Sequence, residues 1–213
     1  MVGESFAYAK EAVVGKWNKW LMLVIATILF GLPLMGYALK VLRGEKPAPE
    51  ITDWGTLFID GIKYVIIMII YMIPAMIVLF LTVGASLLGA MSGGDAGVLA
   101  ALGGMALGML LYLVVVLITM LIALIGIVRF ARTGSIGEAF NFSAILATIG
   151  KIGWVPYIIA LIVLIVCGAI FGIVMAILMM IPILGWLIYL CMISPWALFV
   201  ARYVCQLYDS AGA

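Results

Sequence analysis

Leaving tyrosine and cysteine aside, Asp95 is the only ionisable side chain between Tyr64 and Val128, and there is none between Gly153 and Ala201. Apolar runs of about 20 residues are what an α-helix needs to cross roughly 30 Å of hydrocarbon, and stretches of this kind cannot be solvated as surface. A transmembrane β-barrel requires alternating apolar and polar residues, whereas Ile66 to Leu81 does not alternate. The fold implied is all-α and polytopic. Composition agrees, because 68% of residues are hydrophobic and 9% charged, against roughly 45–50% apolar and about 25% charged in soluble domains.

With 11 basic and 9 acidic residues the net charge is +2, too weak a field for nucleic acid, so the cations matter through their positions. Histidine is absent, which removes the commonest general base and metal ligand. Cys167, Cys191 and Cys205 are too few and too scattered for a disulfide framework or a metal spacing. No cofactor is expected.

Taken in order as one membrane domain, residues 1–19 form a basic amphipathic helix, with Phe6, Ala9, Val13 and Trp17 on one face. No small-residue cleavage site follows, so it is expected to stay on the membrane surface. Residues 20–42 are interrupted by Gly31-Leu32-Pro33, which implies a kinked crossing or a re-entrant hairpin. The hairpin puts all the basic residues on one side of the membrane, and the positive-inside rule favours it. Residues 52–63, with Thr52 as N-cap and Trp54, Leu57, Phe58 and Gly61 on one face, read as an interfacial helix. Spans follow over 62–90 and 96–130, joined by an outer turn at Ser92-Gly93-Gly94-Asp95. Ser135-Ile136-Gly137-Glu138 has the form of a capping box opening a second interfacial helix over 136–150. The last two spans are 155–180 and 183–204, giving about four full transmembrane helices, with Pro74 and Pro195 expected to interrupt two of them.

Two small-residue ridges stand out, Ala96, Ala100, Gly104 and Gly108 in one span and Gly168, Gly172 and Ala176 in another. Small residues four apart let a second helix backbone approach closely. The pattern of span, basic pair and surface helix occurs twice, because Lys40, Arg43 and Gly61 fall on Arg129, Arg132 and Gly150 at a spacing of 89 residues. This is a degenerate internal repeat. The run from Gly36 to Lys63, with Gly36, Tyr37, Arg43, Trp54, Leu57, Phe58, Gly61 and Lys63, together with the later GIVRFARTGSIGEAFNFSAI, resembles integral membrane domain-of-unknown-function family 4013, common in archaea. The resemblance covers nearly the whole chain. It implies a polytopic helical fold and carries no activity.

Coupled transport calls for ionisable groups in the membrane interior, and the spans lack them. An intramembrane enzyme needs facing carboxylates, a nucleophile with a base, or a metal, and the carboxylates available lie in loops. A non-enzymatic protein that assembles with itself or with a larger membrane complex is the leading expectation. Lys40, Arg43, Arg129 and Arg132 are then expected to bind anionic lipid headgroups on the cytoplasmic face of the cell membrane, with both chain ends on that side. The alternative is an uncoupled pore or permease for a small solute or ion, lined by Thr27, Tyr71, Thr82, Ser86, Tyr112, Thr119, Tyr189 and Ser194. Hydroxyls bonded to carbonyls of their own helices are the plainer account of those residues.

Overall fold

A computed structural model describes residues 1–91 and 93–212. Ser92, placed in the outer turn from sequence, lies outside the described residues. The described chain is helical, with α1 Val2–Val13, α2 Trp17–Ile28, α3 Leu32–Leu42, α4 Trp54–Met91, α5 Gly94–Thr133, a 3-10 helix Ile136–Phe140, α6 Phe142–Ile152, α7 Trp154–Leu178 and α8 Leu184–Asp209. Helices α4, α5, α7 and α8 are long and apolar enough to cross a membrane. The molecule is thus a polytopic helical membrane protein whose residues divide into two units, one of Met1–Val65 and Ile125–Ala213, the other of Ile66–Leu124.

In the larger unit, α8 is the hub, with α1, α2, α3 and α7 all packed on it. Its second half buries Leu198, Phe199, Ala201, Tyr203, Val204, Cys205, Leu207 and Tyr208, residues that go all the way round the helix. A helix apolar on every side must be enclosed by others. Phe171, Trp196, Phe199 and Tyr203 stack in sequence between α7 and α8, with centroids 4.6, 5.2 and 6.2 Å apart. The Tyr203 hydroxyl, carried into this apolar setting, donates to the Ala160 carbonyl at 2.9 Å.

Pro195 lies inside α8 without breaking it. Proline lacks an N–H, so the carbonyl four residues earlier, that of Cys191, loses its helical donor. Trp20 of α2 supplies the substitute, its indole N–H donating to Cys191 O at 2.9 Å, with the Ser194 hydroxyl at 3.4 Å. Pro74 likewise sits within an unbroken α4. The interruptions expected at these prolines do not occur, and at Pro195 the freed carbonyl is re-satisfied by a neighbouring helix.

Between α2 and α3 the chain does break. Phe30 and Gly31 take left-handed φ of 57° and 69°, and Pro33 sits in the first turn of α3, where its missing N–H costs nothing. The two helices pack on each other as a hairpin. At 1.5 Å per residue each is about 17 Å long, too short to cross alone.

Elsewhere the boundaries shift from those expected. Residues 1–19 do not form one helix, since α1 ends at Val13 and Gly15 turns the chain at φ 77°. The buried face of α1 is Ser5, Tyr8, Ala9, Ala12 and Val13, while Phe6 and Trp17 are exposed. No separate interfacial helix exists over 52–63, because residues 54–63 are the first turns of α4. Asp53 rather than Thr52 caps it, Oδ1 accepting from the Thr56 N–H at 3.1 Å and Oδ2 from the Thr56 hydroxyl. A carboxylate suits the positive end of the helix better than a hydroxyl. The 43–53 loop is pinned by three side chains acting on its carbonyls. Tyr8 donates to Glu45 O at 3.0 Å, Lys19 to Ala48 O at 2.7 Å and Tyr37 to Pro49 O at 2.7 Å.

In the smaller unit, the α4 and α5 segments lie antiparallel. Gly108 abuts the Thr82 side chain, a Cβ on Gly104 would lie 3.8 Å from Ser86 Oγ, and one on Gly89 would lie 3.6 Å from Ala101. These pairs step along both helices in one constant register.

Candidate functional site

The arginines of the two basic loops meet where α3, α5 and α8 end. The last carbonyls of a helix have no intrahelical donor and carry the negative end of the dipole, so cations are favoured there. Arg43, at the end of α3, donates from Nε to Ala131 O at 3.1 Å and from a terminal nitrogen to Asp60 Oδ2 at 2.6 Å. Arg132, at the end of α5, donates from Nε to Leu42 O at 2.9 Å and from a terminal nitrogen to Asp209 Oδ1 at 2.5 Å. The exchange is reciprocal, since residues 42 and 43 correspond to 131 and 132 at the 89-residue spacing. Each repeat's arginine caps the helix of the other.

Other groups fix these arginines in place. Cys205 Sγ lies 3.4 Å from Arg132 and 3.7 Å from Arg202, and 3.6 Å from Asp209 Oδ2. The Arg132 guanidinium sits over the Tyr208 ring at 5.6 Å, and that of Arg202 over Tyr8 at 5.4 Å. Both arginine-bearing helices end in a left-handed glycine, Gly44 at φ 94° and Gly134 at φ 73°. A Cβ on Gly44 would come within 3.3 Å of the Arg132 guanidinium, so that glycine also leaves room for the clasp.

Arg129 pairs with Glu138, whose other oxygen accepts from Asn141 at 3.1 Å. The Arg129 guanidinium first, and Asn141 second, hold the Glu138 carboxyl below the ordinary carboxylate range. The expected capping box is not formed, because Ser135 makes no side-chain cap and Glu138 is turned to Arg129. Asn141 instead caps α6, accepting from the Ala144 N–H at 3.2 Å. An ionic partner outcompetes the neutral backbone N–H of Ser135 for the carboxylate. The segment 136–150 is accordingly a 3-10 turn followed by α6, which buries Ile145, Thr148 and Ile149.

Of the four residues expected to meet headgroups, Arg43, Arg129 and Arg132 are therefore engaged within the chain, and Lys40 makes no ion pair among the described residues. Asp60 takes Arg43 at 2.6 Å more closely than Lys63 at 3.6 Å. Of the ridge residues, Gly104 and Gly108 face α4 and Gly168 faces Trp196, whereas Ala96, Ala100 and Ala176 are exposed and an added Cβ on Gly172 meets nothing within 4 Å. Steps of four residues advance 400°, drifting about 40° round the helix each time, so a straight ladder leaves the contact face within two steps. The face of α5 turned to α4 runs instead through Ala101, Gly104 and Gly108.

Among the hydroxyls of the pore alternative, Thr27, Thr82 and Ser194 donate to carbonyls of their own helices, and Ser86 Oγ is buried without a partner among the described residues. Among the described residues no three His, Cys, Asp or Glu side chains are grouped to hold a metal.

The model of a family described as protein of unknown function (DUF4013) matches residues 20–180. The chain belongs to that family. The DUF4013 span runs from α2 to α7 and takes in both clasp arginines. Within that span Gly36 and Gly61 have a packing reason, because a Cβ on Gly36 would overlap the Leu57 carbonyl and one on Gly61 the Leu32 carbonyl. Helix α3 and the start of α4 thus cross backbone against backbone. Searches of curated proteins and of solved structures find no match.

Proposed function

We propose that this DUF4013 protein is a non-enzymatic membrane protein that associates with itself, or acts as an accessory subunit of a larger membrane complex, through outward small-residue faces. The observation that carries this is the outward set itself: Gly172 with open space beside it, and Ala96, Ala100 and Ala176 exposed on spanning helices. In hydrocarbon such faces gain by close packing with another helix. The clasp supports a structural role for the polar residues, since its arginines and carboxylates are committed to one another. The end of the bundle that carries the clasp is the cytoplasmic one in this reading, and it lies against anionic lipid.

Particle mass in mild detergent tests the association. A multimer is expected, shifting toward monomer when Gly172→Leu and Ala176→Leu fill the outward face; a wild-type monomer with no co-purifying membrane partner overturns it. Solute or ion flux through reconstituted vesicles would favour the pore instead.

A further inference from the structure

We propose that the recess at the start of α2 holds the headgroup of one anionic phospholipid, with an acyl chain laid along the ridge of α2 that begins at its rim. The proposal deepens the lipid-facing part of the reading above by moving headgroup recognition away from the clasp arginines. The recess, about 400 Å³, is lined by Lys16, Trp17, Asn18, Lys19, Met22 and Glu50. Lys19 is 3% exposed, and its ammonium has three donors, of which Ala48 O at 2.7 Å and Glu50 Oε1 at 3.4 Å take two. Its ionic partner is weakly held, since the Glu50 side chain is 66% exposed. Burial lowers the proton affinity of the ammonium, with Glu50 opposing, so a second anion in the recess would be stabilised. Lys16 is exposed and makes no ion pair among the described residues. Two lysines against one glutamate leave the lining one positive charge, which a single phosphodiester neutralises.

The occupant is decided by what adjoins the recess. Trp17, itself in the lining, is 71% exposed and heads a stripe continuing through Leu21 at 60%, Ile25 at 42% and Ile28 at 61%. These positions share one face of α2 over about 16 Å. The opposite face, Lys19, Leu23 and Ala26, is buried, so the helix is docked and its apolar stripe is left bare. A free phosphate would use the recess alone. A phospholipid uses both, and a zwitterionic headgroup would leave the excess charge unmatched.

The test is equilibrium lipid binding to the full chain in mild detergent, followed by native mass spectrometry, with phosphatidylglycerol, phosphatidylcholine and inorganic phosphate as probes. Phosphatidylglycerol is expected to bind preferentially. Lys16→Gln should weaken it roughly fivefold, the effect of one cation near an anionic surface. Leu21→Ser with Ile25→Ser should weaken lipid and leave inorganic phosphate unaffected, and Lys10→Gln, exposed on α1, should change nothing. The proposal is overturned if Lys10→Gln and Lys16→Gln act equally, if phosphatidylcholine binds as tightly, or if inorganic phosphate displaces the lipid equally from wild type and the α2 double variant. The same spectra count copies per particle, so loss of lipid with an unchanged multimer separates this failure from that of self-association.

Discussion

Trp20, Cys191 and Pro195 form the most testable contact in the chain, because one residue creates a vacancy that another fills. Trp20→Phe keeps most of the ring and removes the donor, and should lower stability in detergent by about 1 kcal/mol. In a Pro195→Ala background, where residue 195 regains its N–H, the same change should cost much less, as thermal unfolding of the four proteins would reveal. Glu138 gives a second residue-level expectation. Its folded-state affinity for protons is depressed, so its contribution is present above the ordinary carboxylate range, about pH 4.3, and is lost as pH falls through the lower folded value. The wild type should therefore lose more stability than Glu138→Gln between pH 5 and pH 3, read as the apparent melting temperature. The sequence could name Glu138 as a polar anchor, yet the partner it takes lies nine positions back in a different helix, beyond any local motif.

At the scale of elements, hydropathy located the four spanning helices, since length and apolar content are written directly in the residues. Which face each helix turns inward was far less legible. The ridge on α5 was displaced by about one residue at its start, and α8, unremarkable in sequence, proves to be the hub because enclosure depends on what packs around it. The crossing of α3 and α4 was carried by Gly36 and Gly61 as a resemblance, and its cause is the backbone contact at Leu57 and Leu32. Gly61→Ala should force the helices apart and cost about 1–3 kcal/mol. Gly150, its counterpart at the repeat spacing, meets nothing within 4 Å, and Gly150→Ala should be neutral or slightly stabilising in the same unfolding measurement.

For the molecule as a whole, the 89-residue spacing was visible as two basic pairs, and the exchange of carbonyls between Arg43 and Arg132 gives that spacing a physical meaning. Backbone acceptors have no sequence signature, so the pairing itself could not be read. Arg43→Ala and Arg132→Ala should each cost about 1–3 kcal/mol, and the double variant less than their sum, because both remove the same junction. Chemical denaturation of the single and double variants checks this. Labelling of a cysteine at Gly3 only after the membrane is permeabilised, and of one at Asp95 from outside intact cells, is the expected outcome for the orientation drawn above.

The reciprocity of Arg43 and Arg132 also bears on how the chain comes off the ribosome. When the first basic loop emerges, the carbonyl to which Arg43 must donate and the guanidinium that must cap Leu42 are both still unmade. Until its twin is synthesised, the amino-terminal half lacks both of these hydrogen bonds.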